Sequence, residues 1–141
     1  MKTPIFLVDT SAFYRLLRNP ELNAIWRTHM RHGLFADCEI TELEILHGAH
    51  SRAHRDELEA ELQQSYRWIV MPERVWSRAR LVQRLLTDGG SHRSAGPVDL
   101  LAAAAAEEHG MVLLHYDADF HQIAEVTGQE TFWVARRGSV D

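Results

Sequence analysis

The sequence predicts an α/β sandwich, a central and mainly parallel sheet with helices on both faces. Three observations predict it. Short apolar runs without alternation, such as Ile5 to Val8, have the pattern of strands covered on both sides. Segments with helical periodicity separate those runs along the whole chain. A helix between two strands is the connection that a parallel sheet requires.

The elements follow in order. Ile5 to Val8 is a strand ended by Asp9, and Thr10-Ser11 open a helix over Ala12 to Arg18 that stops near Asn19-Pro20. Glu21 to Arg31 is amphipathic, with Leu22, Ile25, Trp26 and Met30 on one side and Gly33 closing it. Leu34 to Ile40 is a second strand, and Thr41 starts the next helix. Arg52 to Trp68 reads as an exposed helix with a narrow stripe of Leu58, Leu62 and Tyr66. Trp68 to Met71 is a short strand before Pro72, and Glu73 to Leu86 is helical. After the loop Ser91 to Gly96, Pro97 suits the first turn of a helix running to His109, with Gly110 in the closing position. Met111 to His115 is a strand, Phe120 to Val126 a short helix, and Thr131 to Ala135 the last strand.

The 141 residues suit one domain, spanning 1–141, with no internal repeat, low-complexity tract or linker. The single cysteine, Cys38, excludes an internal disulfide and a cysteine-based zinc site, and fits a reducing cytoplasm. The longest near-apolar run, Leu100 to Ala106, is too short to span a bilayer, and the N-terminus does not read as a signal peptide. A net charge of −5 argues against simple non-specific nucleic-acid binding. Lys2 is the only lysine, so the remaining basic residues are arginines, whose planar fork suits phosphate contacts.

The acidic balance is explained by carboxylates placed where an α/β sheet binds ligands, beyond the carboxyl ends of its strands. Asp9 follows the first strand and Asp117 the strand ending at His115. Glu44 and Asp99 lie in the first turns of helices whose N-termini face the same edge. Each has an ordinary structural reading: a helix cap for Asp9, a Thr41–Glu44 capping box, a dipole partner for Asp99, and turn residues for Asp117 and Asp119. Together they argue for more. Two carboxylates ~4 Å apart repel by about 1–4 kcal/mol, and hard oxygen ligands are what Mg²⁺ and Mn²⁺ prefer. Other chemistries lack their signatures. The nine histidines are dispersed, and neither a Gly-x-x-x-x-Gly-Lys loop nor a Gly-x-Ser-x-Gly elbow occurs.

The segments Leu7-Val8-Asp9-Thr10-Ser11-Ala12, Glu44-Ile45-Leu46-His47-Gly48-Ala49, Asp99 to Ala105, and His115-Tyr116-Asp117-Ala118-Asp119-Phe120 resemble, in order, those of PIN-domain ribonucleases of the VapC toxin type. The resemblance implies a PIN-like α/β/α sandwich, Mg²⁺- or Mn²⁺-dependent endoribonuclease activity, a homodimer, and inhibition by a VapB-like antitoxin. It assigns Asp9, Glu44, Asp99 and Asp117 as catalytic and metal-binding acids and Asp119 as an accessory one. Glu42 competes with Glu44, and the spacing to Gly48 selects Glu44. Thr10 and Ser11 are placed to orient Asp9, and Arg93, His92 and Arg15 are the candidate RNA contacts. Two other functions remain open: a different metal-dependent phosphohydrolase or DNA nuclease using the same acids, and a non-catalytic protein-binding module.

Overall fold

The computed structural model describes residues 3–91 and 95–141. Its element order is β1 Phe6–Val8, α1 Thr10–Arg18, α2 Pro20–Arg31, β2 Phe35–Asp37, α3 Glu39–His47, α4 Arg52–Ser65, β3 Arg67–Trp68, α5 Val75–Asp88, α6 Pro97–Glu108, β4 Val112–His115, α7 Ala118–Thr127 and β5 Thr131–Trp133. The strands form one five-stranded sheet in the order β3-β2-β1-β4-β5, parallel at every pairing. The expected α/β/α sandwich is therefore the observed one.

Two apolar layers explain why the central strands lack alternation. Leu7, Ala36 and Leu113 face α5, α6 and α7, where they pack with Val82, Leu86, Ala103 and Ile123. Phe6, Val8, Phe35 and Leu114 face α1, α2 and α4, among Phe13, Trp26, Leu58 and Leu62. Each strand residue has a core to enter whichever way it points, so a continuous apolar run is the stable solution. Trp26 ties the far edge of the sheet to α2 through its indole N–H, which donates to the Val134 carbonyl at 2.9 Å. Helix α6 is apolar all round because it is covered all round: Leu100 to Ala106 are every one buried. Alanine lets this helix approach its neighbours closely.

The glycines expected to close helices do so. Gly33 and Gly110 follow α2 and α6 with φ of 68° each. Their left-handed backbone brings the next amide back onto the helix, Leu34 N to His29 O at 3.0 Å and Met111 N to Ala106 O at 2.8 Å.

Five boundaries between β2 and α5 differ from the sequence reading. The second strand ends at Asp37, and the following helix begins at Glu39 rather than Thr41. Thr41 is then the third helical residue. Its hydroxyl accepts from the Cys38 amide at 2.9 Å and donates to the Cys38 carbonyl at 3.0 Å. Thr41 thus closes the helix start with Cys38, and the Thr41–Glu44 capping box does not form. The exposed helix stops at Ser65, so the strand after it is Arg67–Trp68, ahead of the expected Trp68 to Met71. The next helix starts at Val75, two residues past the expected Glu73. Propensity does not mark these ends; the pairing of β3 with Ala36 and Asp37 of β2 decides the first three.

Candidate active site

Parallel pairing lines up the strand ends, and with them the acids. The register Val8↔Leu114 puts Asp9, just past β1, beside the end of β4, which leads to Asp117. The Asp9 amide donates to the Leu114 carbonyl at 2.9 Å, so backbone pairing itself holds Asp9 there. Asp9 is the N-cap of α1 and Asp117 the N-cap of α7. Asp99 is the third residue of α6, and its Oδ2 accepts from the Gly96 amide at 3.4 Å. The cap reading of Asp9 is thus correct, Asp117 caps a helix as well, and these roles leave carboxylate oxygens over.

Asp9 is 2% exposed. Its Oδ2 accepts from the Ser11 amide at 3.0 Å and from the Ser11 hydroxyl at 2.6 Å. Its other oxygen, Oδ1, is buried without a hydrogen-bond partner. A lone buried carboxylate oxygen is costly unless something outside the chain meets it. Burial, opposed by the Ser11 hydrogen bonds and assisted by the Glu44 charge, pushes the Asp9 carboxyl up to about 6. Burial also pushes Asp99 up to about 7, with the charges of Asp9, Asp117 and Glu44 adding to it. Burial raises Asp119 too, with Asp117 contributing. Asp9, Glu44 and Asp117 therefore each lie within electrostatic reach of Asp99, and Glu44 within reach of Asp9. Carboxylate oxygens of Asp99, Asp117 and Asp119 lie within 4.8 Å of one another. Hard oxygen donors of one charge, together with an orphaned oxygen, fit a divalent cation.

Glu42 and Glu44 are separated by the fold. Glu44 is a charged neighbour of Asp9 and Asp99, whereas Glu42 faces Asp37 and Glu59. Gly48, four residues after Glu44, explains its own spacing: a Cβ there would lie 2.5 Å from the Tyr14 hydroxyl oxygen. That hydroxyl donates to the Ile45 carbonyl and joins α1 to α3. Gly48→Ala is expected to displace Tyr14 and lower stability by about 1–2 kcal/mol, the usual cost of overpacking. Chemical denaturation checks this, and Tyr14→Phe in the same background is expected to recover part of the loss.

Ser11 does more than hold Asp9, since its hydroxyl oxygen accepts from the Tyr116 amide at 2.9 Å and so ties the β4–α7 loop to α1. The Thr10 hydroxyl is buried without a partner. Arg15 stands over the Tyr116 ring, 4.9 Å from its centroid, and donates to the Ser11 carbonyl at 3.3 Å. His92 and Arg93 lie outside the described residues. On α5, Arg78 is bound to Glu107 through two hydrogen bonds of 2.6 and 3.0 Å, so that arginine serves the fold.

Two buried polar residues, one beside the site and one away from it, escape sequence reading. His115 is fully buried between Phe120 and Trp133, and its Nδ1 accepts from the Asp117 amide at 3.2 Å. Burial lowers its pKa to about 4, so it is a neutral ring that steadies the Asp117 turn. Asp37, 3% exposed at the end of β2, is the second. The only signal for either is a polar residue inside an apolar run.

The PIN domain family model matches residues 6–126. The chain belongs to the PIN-domain family. Among the relatives of this PIN domain is Ribonuclease VapC21 of Mycobacterium tuberculosis, 39% identical over 137 residues, which cover 97% of this chain and 99% of that one. Ribonuclease VapC18 of the same organism is 38% identical over 138 residues, 96% and 99% of the two chains. The fold matches that in DNA-bound VapBC from Salmonella typhimurium, with a TM-score of 0.74 at 16% identity over 94% of this chain and 100% of the other. It also matches VapBC-1 from nontypeable Haemophilus influenzae, with a TM-score of 0.73 at 20% identity over 92% and 98%. Among the described residues, no helix of this PIN domain is long and apolar enough to cross a membrane.

Proposed function

We propose that the protein is a divalent-cation-dependent endoribonuclease, the toxin of a type II toxin–antitoxin pair, acting in the cytoplasm as a homodimer restrained by a VapB-like antitoxin. The observation that carries the reading is the buried, unpartnered Oδ1 of Asp9 within a set of mutually repelling carboxylates. Kinship with the VapC ribonucleases supports the choice of RNA.

Asp9, Asp99, Asp117, Asp119 and Glu44 would hold Mg²⁺ or Mn²⁺. When bound, such a cation offsets the charge of the scissile phosphate and makes water more acidic. The chain's own residues do the rest. Ser11 fixes the Asp9 carboxylate in one rotamer and keeps the Asp117 loop against it. Glu44 or Asp117 takes the proton from the attacking water. Arg15, over the Tyr116 ring, contacts the RNA backbone. Ser11 positions Asp9 through its hydroxyl and amide, Thr10 does so through its backbone alone, and neither touches substrate. Exposed apolar residues on α2 and β5, Ile25 at 71% and Phe132 at 53%, supply surface of the kind that protein partners cover.

The test is cleavage of total cellular RNA by purified protein with Mn²⁺. Wild type is expected to cut at internal positions, and Asp99→Asn to lose at least about 10³-fold in rate, comparable to removing a principal electrostatic group from an active site. Cleavage of DNA but not RNA would move the assignment to a DNA nuclease. Absence of cation binding by calorimetry would favour a protein-binding module.

A further inference from the structure

A second acidic cleft lies on the other face of the sheet. It occupies about 470 Å³ between α3, α4 and the ends of β2 and β3, and Asp37, Glu42, Glu59, Gln63, Tyr66 and Trp68 line it. The strands place it there. Phe35 faces the layer of α1, α2 and α4, and Asp37, two residues along the same strand, faces that layer too. Asp37 is not among the charges that act on Asp9 or Asp99.

Asp37 is 3% exposed, yet its carboxylate accepts no hydrogen bond from any other described residue. Burial and the Glu42 charge push its carboxyl up to about 7. Tyr66 is raised as well, by burial and by the charges of Glu61 and Asp37. Arg55, the cation that acts on Glu42, is engaged with Glu59 at 3.0 Å, and its side chain is 56% exposed. One exposed guanidinium facing three carboxylates leaves the buried one without a counter-charge.

The acids are not gathered tightly enough for a single ion. Among the described residues, the cluster with all its ligand oxygens within 4.8 Å is Asp99, Asp117 and Asp119. A larger, flat cation spans separated carboxylates through its fork of N–H donors and stacks on aromatic rings. Trp68, half exposed on the edge strand β3, and Tyr66 supply such rings.

We propose that this cleft is a guanidinium-binding site distinct from the candidate active site, with Asp37 at its base receiving the N–H donors and Trp68 covering the cation. The guanidinium belongs to a small guanidine or to an arginine side chain carried on a peptide; the chemistry that recognises it is the same.

The experiment titrates the full-length protein with N-acetyl-L-arginine amide and follows the indole N–H of Trp68 in ¹H–¹⁵N spectra, assigned with Trp68→Phe. Wild type is expected to show a saturable shift of Trp68 and of the Asp37 amide. Asp37→Asn, close in shape, is expected to weaken binding at least fivefold. Glu59→Gln, at a partly exposed side chain lining the cleft, tests the same charge without altering a fully buried group and is expected to weaken it at least twofold. The corresponding lysine amide is expected to bind at least threefold more weakly than the arginine compound. Agmatine and a capped Ala-Arg-Ala peptide name the carrier: tighter binding of agmatine assigns a small guanidine, tighter binding of the peptide an arginine of a polypeptide. Shifts confined to the surroundings of Asp9 and Asp99, or equal affinity in wild type and both variants, would overturn the proposal.

Discussion

Asp9→Asn is expected to abolish RNA cleavage and, in the absence of metal at pH 7.5, to raise the thermal midpoint. The two effects have one cause. Asp9 is buried and its carboxyl is pushed up to about 6 from 3.8, so the folded protein carries the charge at a cost. A shift of about two units corresponds to about 3 kcal/mol of native-state destabilisation at pH 7.5. Asparagine keeps the acceptor for the Ser11 amide and hydroxyl and removes the charge. It also leaves an amide N–H₂ where Oδ1 had no partner, and an unsatisfied buried donor costs about 1–3 kcal/mol. The balance is a gain of about 1 kcal/mol, worth a few degrees in a domain of this size. Catalysis moves the other way, because asparagine is a poor ligand for a hard cation, and the expected loss is at least about 10³-fold. Calorimetry in EDTA and an RNA cleavage assay read the two halves. A midpoint lowered by several degrees would show that Asp9 serves the fold and not an ion.

The second large effect is a dependence of stability on pH that a divalent cation erases. A carboxyl raised in the folded state binds its proton more tightly folded than unfolded, so stability falls as pH rises through the window between the two values. For Asp9 that window runs from 3.8 to about 6, and for Asp99 and Asp37 from 3.8 to about 7. His115 acts in the opposite sense. Its pKa is lowered from 6.5 to about 4, so it is neutral when folded and charged when unfolded, and stability falls on acidification through that range. The opposing slopes partly cancel below pH 6.5. Above it His115 is neutral in both states, and the metal-free protein is expected to lose stability up to about pH 7 and to level off beyond it. Mn²⁺ is expected to raise the midpoint by several degrees at pH 7.5, since ligand at 100 times Kd contributes about 2.7 kcal/mol. At pH 5 the Asp9 and Asp99 carboxyls hold protons, and the increment is expected to shrink to a small fraction. Asp99→Asn is expected to flatten the metal-free slope and remove most of the gain. An equal Mn²⁺ increment at both pH values would contradict a carboxylate site.

Much of this was legible in the chain because local physics writes it there. Ile5 to Val8 and Met111 to His115 are apolar without alternation, and only strands buried on both faces tolerate that. Pro97 and Gly110 bracket the alanine-rich helix, and Asp9 and Asp117 stand where the apolar runs stop. Asp37 was hidden because it was read inside a strand, where no periodicity marks a buried acid as different from an exposed one. The choice between Glu42 and Glu44 was hidden for another reason. Residues two apart on a helix point about 200° apart, so one of them must turn away from the site. Which one turns depends on where the helix begins. Thr41 reads as its cap, whereas the fold makes Cys38 the cap.

By itself, then, the sequence determined the succession of strands and helices, the acids that end them, and membership of a family with four acidic motifs in order. Those properties depend on neighbours within a few residues, whose preferences the chain carries everywhere. Tertiary structure decided which oxygen of Asp9 is left without a donor, that Ser11 of α1 holds a loop about a hundred positions away (its hydroxyl meets the Tyr116 amide), and that Glu42 serves a different cleft. These are matters of direction and burial. They arise only when parallel pairing places β2, β1 and β4 side by side and sets each carboxylate on one face of the sheet or the other.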